Sequence, residues 1–208
     1  MAHRYRFLRF FAAVAGALLL AVILKEVLIG LAIGLSVSVV LWAVEAAGFF
    51  IDNQRGAAMA SSLNPMSGEQ TSPLGILLAQ MVAVLLFSSG LFAQFLVVLF
   101  TTYKVWPVWS FFPALNPAAP QMFLGWLDFL MKATVVLSAP VFIAMFLSEL
   151  GLALVSRFAP QLQVFFLAMP VKSAVGIFML ILYVPFFIDL VYGDLGGFSH
   201  LLDLVGRL

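Results

Sequence analysis

The residues able to do chemistry are few and scattered. Ten Lys or Arg, nine Asp or Glu, two His and no Cys occur in 208 residues. Ser/His/Asp catalysis needs a histidine base beside a serine, and His3 and His200 lie near opposite ends of the chain. Metal hydrolysis needs clustered His, Asp or Glu ligands, and none cluster. Intramembrane aspartyl proteolysis needs paired aspartates, whereas Asp128 and Asp189 stand alone. No Gly-rich phosphate loop occurs, so ATP hydrolysis is not expected. The lack of cysteine excludes disulfides, thiolate metal sites and a cysteine nucleophile. These counts assign no catalytic residue, no cofactor and no metal ligand. Polar side chains gather in one long block instead, DNQRGAAMASSLNPMSGEQTSP from Asp52 to Pro73.

The rest of the chain is greasy. Hydrophobic residues make up 64% and charged residues 9%, against roughly 45–50% and about 25% in soluble domains. Mean hydropathy is +1.17. A globular protein of this size could not hide that much apolar surface, so lipid or a large apolar assembly must cover it. Net charge is +1, too small for a field that attracts nucleic acid. Arg4, Arg6 and Arg9 before Phe10–Leu24 resemble a signal peptide, but the apolar pattern resumes straight after Lys25-Glu26. An uncleaved helix with its basic end in the cytoplasm is expected.

The elements that carry the polar block read as helices. Phe10–Leu24 and Val27–Val44 are uncharged, with Lys25, Glu26 and Glu45 as the interruptions, and no proline precedes Pro65. As one helix, Phe10–Ile51 would be about 63 Å long, twice the roughly 30 Å hydrocarbon core. The chain therefore either turns near Lys25-Glu26 or runs well beyond a bilayer. Gly30, Gly34 and Ser38 recur every fourth residue, a small-residue stripe suited to close helix contact. Asn64-Pro65 and Ser72-Pro73 are turn dipeptides, so helix should end before Pro65 and restart near Pro73.

Gln70 to Tyr103 is a run of 34 residues without charge. Within it, Leu74–Phe100 reads as one membrane-length helix of about 40 Å. Residues 104–121, with four prolines beside Trp106 and Trp109, read as an interfacial loop. Beyond it, Lys132, Glu149, Arg157, Lys172 and Asp189 leave uncharged runs of 16, 7, 14 and 16 residues. Two helical hairpin arms, about 123–156 and 161–192, fit that pattern, with Pro140, Pro160, Pro170 and Pro185 as breaks or kinks. Each charge facing lipid would cost about 2.5–3.5 kcal/mol, so these five are expected to face one another, partner subunits or a water-filled lumen. Residues 193–208 read as a peripheral segment. The fold class is all-α: membrane-type helical hairpins in a single domain, 1–208.

Three strings carry a family resemblance. They are WAVEAAGFFIDNQRGAAMASSLNP at Trp42–Pro65 continuing to TSPLG at Thr71–Gly75, WPVWSFFPAL at Trp106–Leu115, and SAPVFIAMFLSELGLALVSRFAPQLQVFFLAMPVKSAVG at Ser138–Gly176. Together they resemble the T-type export-apparatus subunit of type III secretion systems, the SctT/YscT family, with flagellar FliR a more distant relative. The likeness runs from about Lys25 to about Tyr183. Family members carry further hydrophobic sequence before the Lys-Glu position, so one or two N-terminal helices are expected to be shortened, missing or replaced.

The resemblance implies a structural and gating component of the export gate, not an enzyme. It implies R-type and S-type subunits as partners in a helical pore-forming complex, together with the U-type switch subunit and needle and inner-rod proteins. Unfolded secreted proteins would be the cargo. The location would be the bacterial inner membrane, in contact with lipid, with much of the complex above the membrane plane on the periplasmic side.

It also implies a plug over 61–73, formed by Met59, Ser61, Ser62, Leu63, Asn64, Pro65, Met66, Ser67, Gly68, Glu69 and Pro73. Chain physics allows a movable element there, and Met59, Leu63 and Met66 could supply a soft apolar seal; an ordinary solvent loop is the alternative. Asp52 and Arg55, three apart, form either a structural pair or, with Glu45, the lining of a pore entrance. Lys132, Glu149, Arg157 and Lys172 are expected in interhelical or intersubunit salt bridges, with a proton relay through Glu149 as a rival. A stand-alone small-molecule or ion transporter using midplane charges and broken helices is the alternative function, and a scaffold that nucleates assembly without touching cargo is a third.

Overall fold

The computed structural model describes residues 2–56, 72–109, 119–158 and 164–196. Five helices fill them: α1 (Ala2–Arg55), α2 (Pro73–Ser88), α3 (Leu91–Val105), α4 (Ala119–Phe158) and α5 (Val164–Gly196). The chain is all-α, and no strand occurs among the described residues. Among the described residues three helices are long and apolar enough to cross a membrane, or up to four spans if the bent pair α2–α3 counts as one.

α1 is continuous for 54 residues, about 81 Å. It does not turn at Lys25-Glu26, because the Lys25 charge is answered from the side. Its ammonium donates to the carbonyls of Pro107 at 2.9 Å and Val108 at 3.2 Å and lies 3.0 Å from the Glu26 carboxylate. Side chains from Arg9 to Ala21 are all exposed. The lower half, from Ile33 to Asp52, packs into the bundle.

The expected single helix over Leu74–Phe100 is two helices, α2 and α3, meeting at 71°. Gly90 at the elbow has φ +78°, a conformation that costs glycine little and other residues more. Ser89 closes α2, its N–H donating to the Leu85 carbonyl at 3.0 Å and its hydroxyl to the same carbonyl at 2.6 Å. Phe87 and Phe92 pack across the bend with ring centroids 4.8 Å apart. Hydropathy is blind to such a break, since the apolar run continues through it from one arm to the other.

α4 and α5 form an antiparallel hairpin close to the expected arms. Pro140, Pro170 and Pro185 lie inside these helices and do not end them. α4 runs alongside α1 in the same direction: Thr134 donates to the Ala43 carbonyl, Phe50 stacks on Phe142, and Gln54 reaches Glu149. All five helices meet in one core. Val40, Val44 and Ala47 of α1 face Leu78 and Val82 of α2, Leu91 and Val98 of α3, Leu137 of α4, and Phe187 and Val191 of α5. A smaller cluster of Ile51, Val141 and Met145 extends it toward the end of α1.

The backbones of α1 and α2 come very close. A Cβ on Gly48 would lie 2.5 Å from the Gly75 Cα, and one on Gly75 would lie 2.9 Å from the Glu45 carbonyl oxygen. Two glycines thus let the helices touch main chain to main chain. The Gly30–Gly34–Ser38 stripe has no such role within this chain, where a Cβ at Gly30 or Gly34 would meet nothing within 4 Å.

Candidate functional site

Where α1 ends and α2 begins, the sequence places a dense set of short-range polar contacts. α1 stops because Gly56 takes φ +88° and donates its N–H to the Asn53 carbonyl at 3.0 Å, a glycine stop to a helix. α2 starts at Pro73, whose ring pre-sets the helical φ and whose missing N–H leaves no donor to satisfy. The next two donors are both taken. The Leu74 N–H donates to Asp52 Oδ2 at 2.9 Å, and the Gly75 N–H donates to Ser72 Oγ at 2.9 Å. The Ser72 hydroxyl in turn donates to Asp52 Oδ2 at 2.7 Å.

Asp52 therefore caps α2 from α1. Its other oxygen, Oδ1, accepts from Arg55, one turn on. The Asp52 side chain is only 4% exposed; a buried carboxylate is tolerable when donors and a cation surround it. Its charge also sits at the positive end of the α2 dipole. The physical result is that Asp52, one turn before the end of α1, and Ser72, just before α2, are fixed in direct contact.

A second polar layer backs the first. Lys172 of α5 lies 3.2 Å from Glu149 Oε2 of α4, and Gln54 of α1 donates to the same oxygen at 3.4 Å. Gly176 lets α5 come close, since a Cβ there would sit 2.8 Å from Met145 Sδ and 3.6 Å from Arg55 Cδ. Arg55, Gly56, Met169, Pro170 and Ser173 line an open groove of about 270 Å³ beside these pairs. α1, α2, α4 and α5 thus converge on one polar end. No group of three or more His, Cys, Asp or Glu placed to hold a metal occurs among the described residues.

The expected site residues fall in three groups. Asp52, Arg55, Glu149, Lys172 and Pro73 meet in this end layer. Glu45, Lys132 and Arg157 are exposed, with no ion-pair partner among the described residues. Met59, Ser61, Ser62, Leu63, Asn64, Pro65, Met66, Ser67, Gly68 and Glu69 lie outside the described residues. Of the stretch expected as an interfacial loop, Lys104 and Val105 belong to α3 and Ala119 onward to α4.

Residues 7–197 match the model of the bacterial export proteins, family 1. The chain belongs to that family. It is 50% identical over 165 residues, 79% of this chain and 63% of the relative, to Yop proteins translocation protein T of Yersinia pestis. It is 34% identical over 171 residues, 80% and 64% of the two chains, to the secretion system apparatus protein SsaT of Salmonella typhimurium. To the flagellar biosynthetic protein FliR of Bacillus subtilis it is 32% identical over 158 residues, 76% and 61% of the two chains. It spans slightly less than two thirds of the length of these curated relatives.

In this export protein three features of the site went unread in the sequence. Ser72 was taken only as part of a turn dipeptide, although Ser-Pro before an apolar run is an N-cap signal. Gly48 and Gly75 were not paired, because no local spacing links residues on two helices. Lys25 was read as a possible turn and is instead the opposite clamp. It lies 27 positions before Asp52, about 40 Å along α1. There it holds the carbonyls just past the C-terminus of α3, as Asp52 holds the N-terminus of α2. An anion at the start of the bent arm and a cation at its end both oppose the helix dipoles favourably.

Proposed function

We propose that this chain is the T-type subunit of a type III protein export apparatus, a structural and gating part of the pore through which unfolded proteins cross the bacterial inner membrane. R-type and S-type subunits are its direct partners in a helical complex. The U-type switch subunit and the needle and inner-rod proteins follow in the same machine. Much of the complex stands on the periplasmic side of the membrane plane. The segment 61–73 is the plug.

One observation carries this role: the polar segment is tied at its base. A loop that must block and clear a pore needs fixed ends and a free middle. Asp52 supplies the fixed ends by joining Arg55, Ser72 and Leu74. The Gln54–Glu149–Lys172 layer stiffens the base from behind. Family membership, and the relatives named for translocation, secretion and flagellar biosynthesis, support the same assignment. Lys132 and Arg157, exposed on α4, would find their counter-charges on partner subunits.

Co-expression tests the assembly. With R-type and S-type subunits the chain is expected to purify as a stoichiometric complex. A stable, solute-transporting homo-oligomer formed without them would contradict it.

A further inference from the structure

Between Glu26 and Asp52 the sequence of α1 carries one charge, Glu45. It lies about 10 Å along the helix from Asp52 and about 30 Å from Lys25, within the apolar length of the bundle. Its backbone is packed against α2, its carbonyl facing Gly75. The residue itself is exposed, and its carboxylate has no ion-pair or hydrogen-bond partner among the described residues. The same helical face presents Trp42 three residues before it, 49% exposed, and Phe49 four residues after it, 37% exposed. A lone carboxylate therefore sits between two aromatic shoulders on an open stripe of α1.

The charges that flank Glu45 along the helix, Lys25 and Asp52, are answered inside the chain. Lys25 has two carbonyls and Glu26; Asp52 has Arg55, Ser72 and the Leu74 N–H. Glu45 is the exception. Facing lipid it would be costly. A carboxylate flanked by apolar rings is best satisfied by a single buried cation that the rings shield from water, and an arginine there can also stack on the indole.

We propose that the Trp42–Glu45–Phe49 face of α1 docks an apolar helix of a partner subunit that carries one Lys or Arg at the depth of Glu45. This rests on the assembly proposed above, and the charge complementarity chooses the occupant: an acidic or uncharged helix would leave the carboxylate unpaired.

The test is recovery of this chain with a tagged R-type or S-type subunit in mild detergent. Glu45→Gln is expected to lower recovery at least about tenfold, since one member of a shielded charge pair is lost, and Glu45→Lys to bring it to background. A Lys→Glu or Arg→Glu change on one partner helix is expected to restore the Glu45→Lys chain. Without partners, the Glu45→Gln chain should melt in detergent at the wild-type temperature, because no contact among the described residues uses the carboxylate. As a second readout that does not depend on these variants, Ala46→Cys in this cysteine-free chain should form a disulfide with a cysteine placed one turn from that basic residue. Equal recovery of wild type and Glu45→Lys would overturn the inference while leaving the assembly intact, as would disulfides forming only to helices without a basic residue. Failure of the wild-type chain to associate at all would instead overturn the assembly, and the inference with it.

Discussion

Asp52 is the residue on which the end layer turns. It accepts from a hydroxyl, a backbone N–H and a guanidinium while almost fully buried. Asp52→Asn keeps the size but loses the charge that both Arg55 and the α2 dipole use. It should destabilise the folded chain by about 2–3 kcal/mol, as for a lost hydrogen bond to a charged group, whereas Ser72→Ala, which removes the N-cap and one donor to Asp52 but leaves the charge with Arg55 and the Leu74 N–H, should cost about 1–2 kcal/mol. Thermal unfolding in detergent orders the two, and a larger loss for Ser72→Ala would contradict the capping hierarchy. Gly48→Ala and Gly75→Ala should each cost about 1–3 kcal/mol by forcing the helices apart. The double variant should cost less than their sum, since the first change already opens the contact. The Asp52–Arg55 pair was legible in the sequence because both partners lie on one helix at a spacing that fixes their geometry. The reach of Asp52 to residues 72 and 74 was not, because it depends on where the chain returns after 57–71.

At the scale of elements, the bent arm α2–α3 is fastened to α1 at both ends and jointed at Gly90. Its two fastenings, Asp52 and Lys25, are buried charges of opposite sign matched to opposite helix ends. Lys25→Met should release the stretch after α3. Hydrogen exchange at Tyr103, Lys104 and Trp106 should speed up while the core amides of Val40 and Val44 keep wild-type protection, and unchanged exchange after α3 would contradict the clamp. Gly90→Ala forces a Cβ into a left-handed conformation at about 1–2 kcal/mol. Open space surrounds that position, so the loss should come from backbone strain alone and be the same in any detergent. Helix existence was legible throughout from apolar length and proline placement. The elbow was not, although Ser88-Ser89-Gly90 stood in the middle of the run, because a glycine in a long apolar segment is as often a packing residue as a joint. The continuity of α1 was equally hidden, since sequence alone could not tell that carbonyls past α3 would satisfy Lys25.

The molecule as a whole leaves much of its apolar surface open. Phe10 is 66% exposed on α1, Val135 61% on α4 and Phe186 69% on α5. These faces belong to three different helices, so lipid, partner subunits or both must cover them. The exposed Glu45, Lys132, Arg157 and Asp189 lie among them, which favours protein partners over lipid for at least part of that surface. Such open faces fit the role proposed above, one subunit in a larger export complex. The central claim is that the segment based on Asp52 closes that complex. The direct measurement is ion conductance of the assembled complex after deletion of Ser62–Glu69. Assembly should survive, because the clamp at Asp52, Ser72 and Leu74 is untouched, and the pore should leak well above the wild-type background. An assembled complex whose conductance stays at background would contradict the claim.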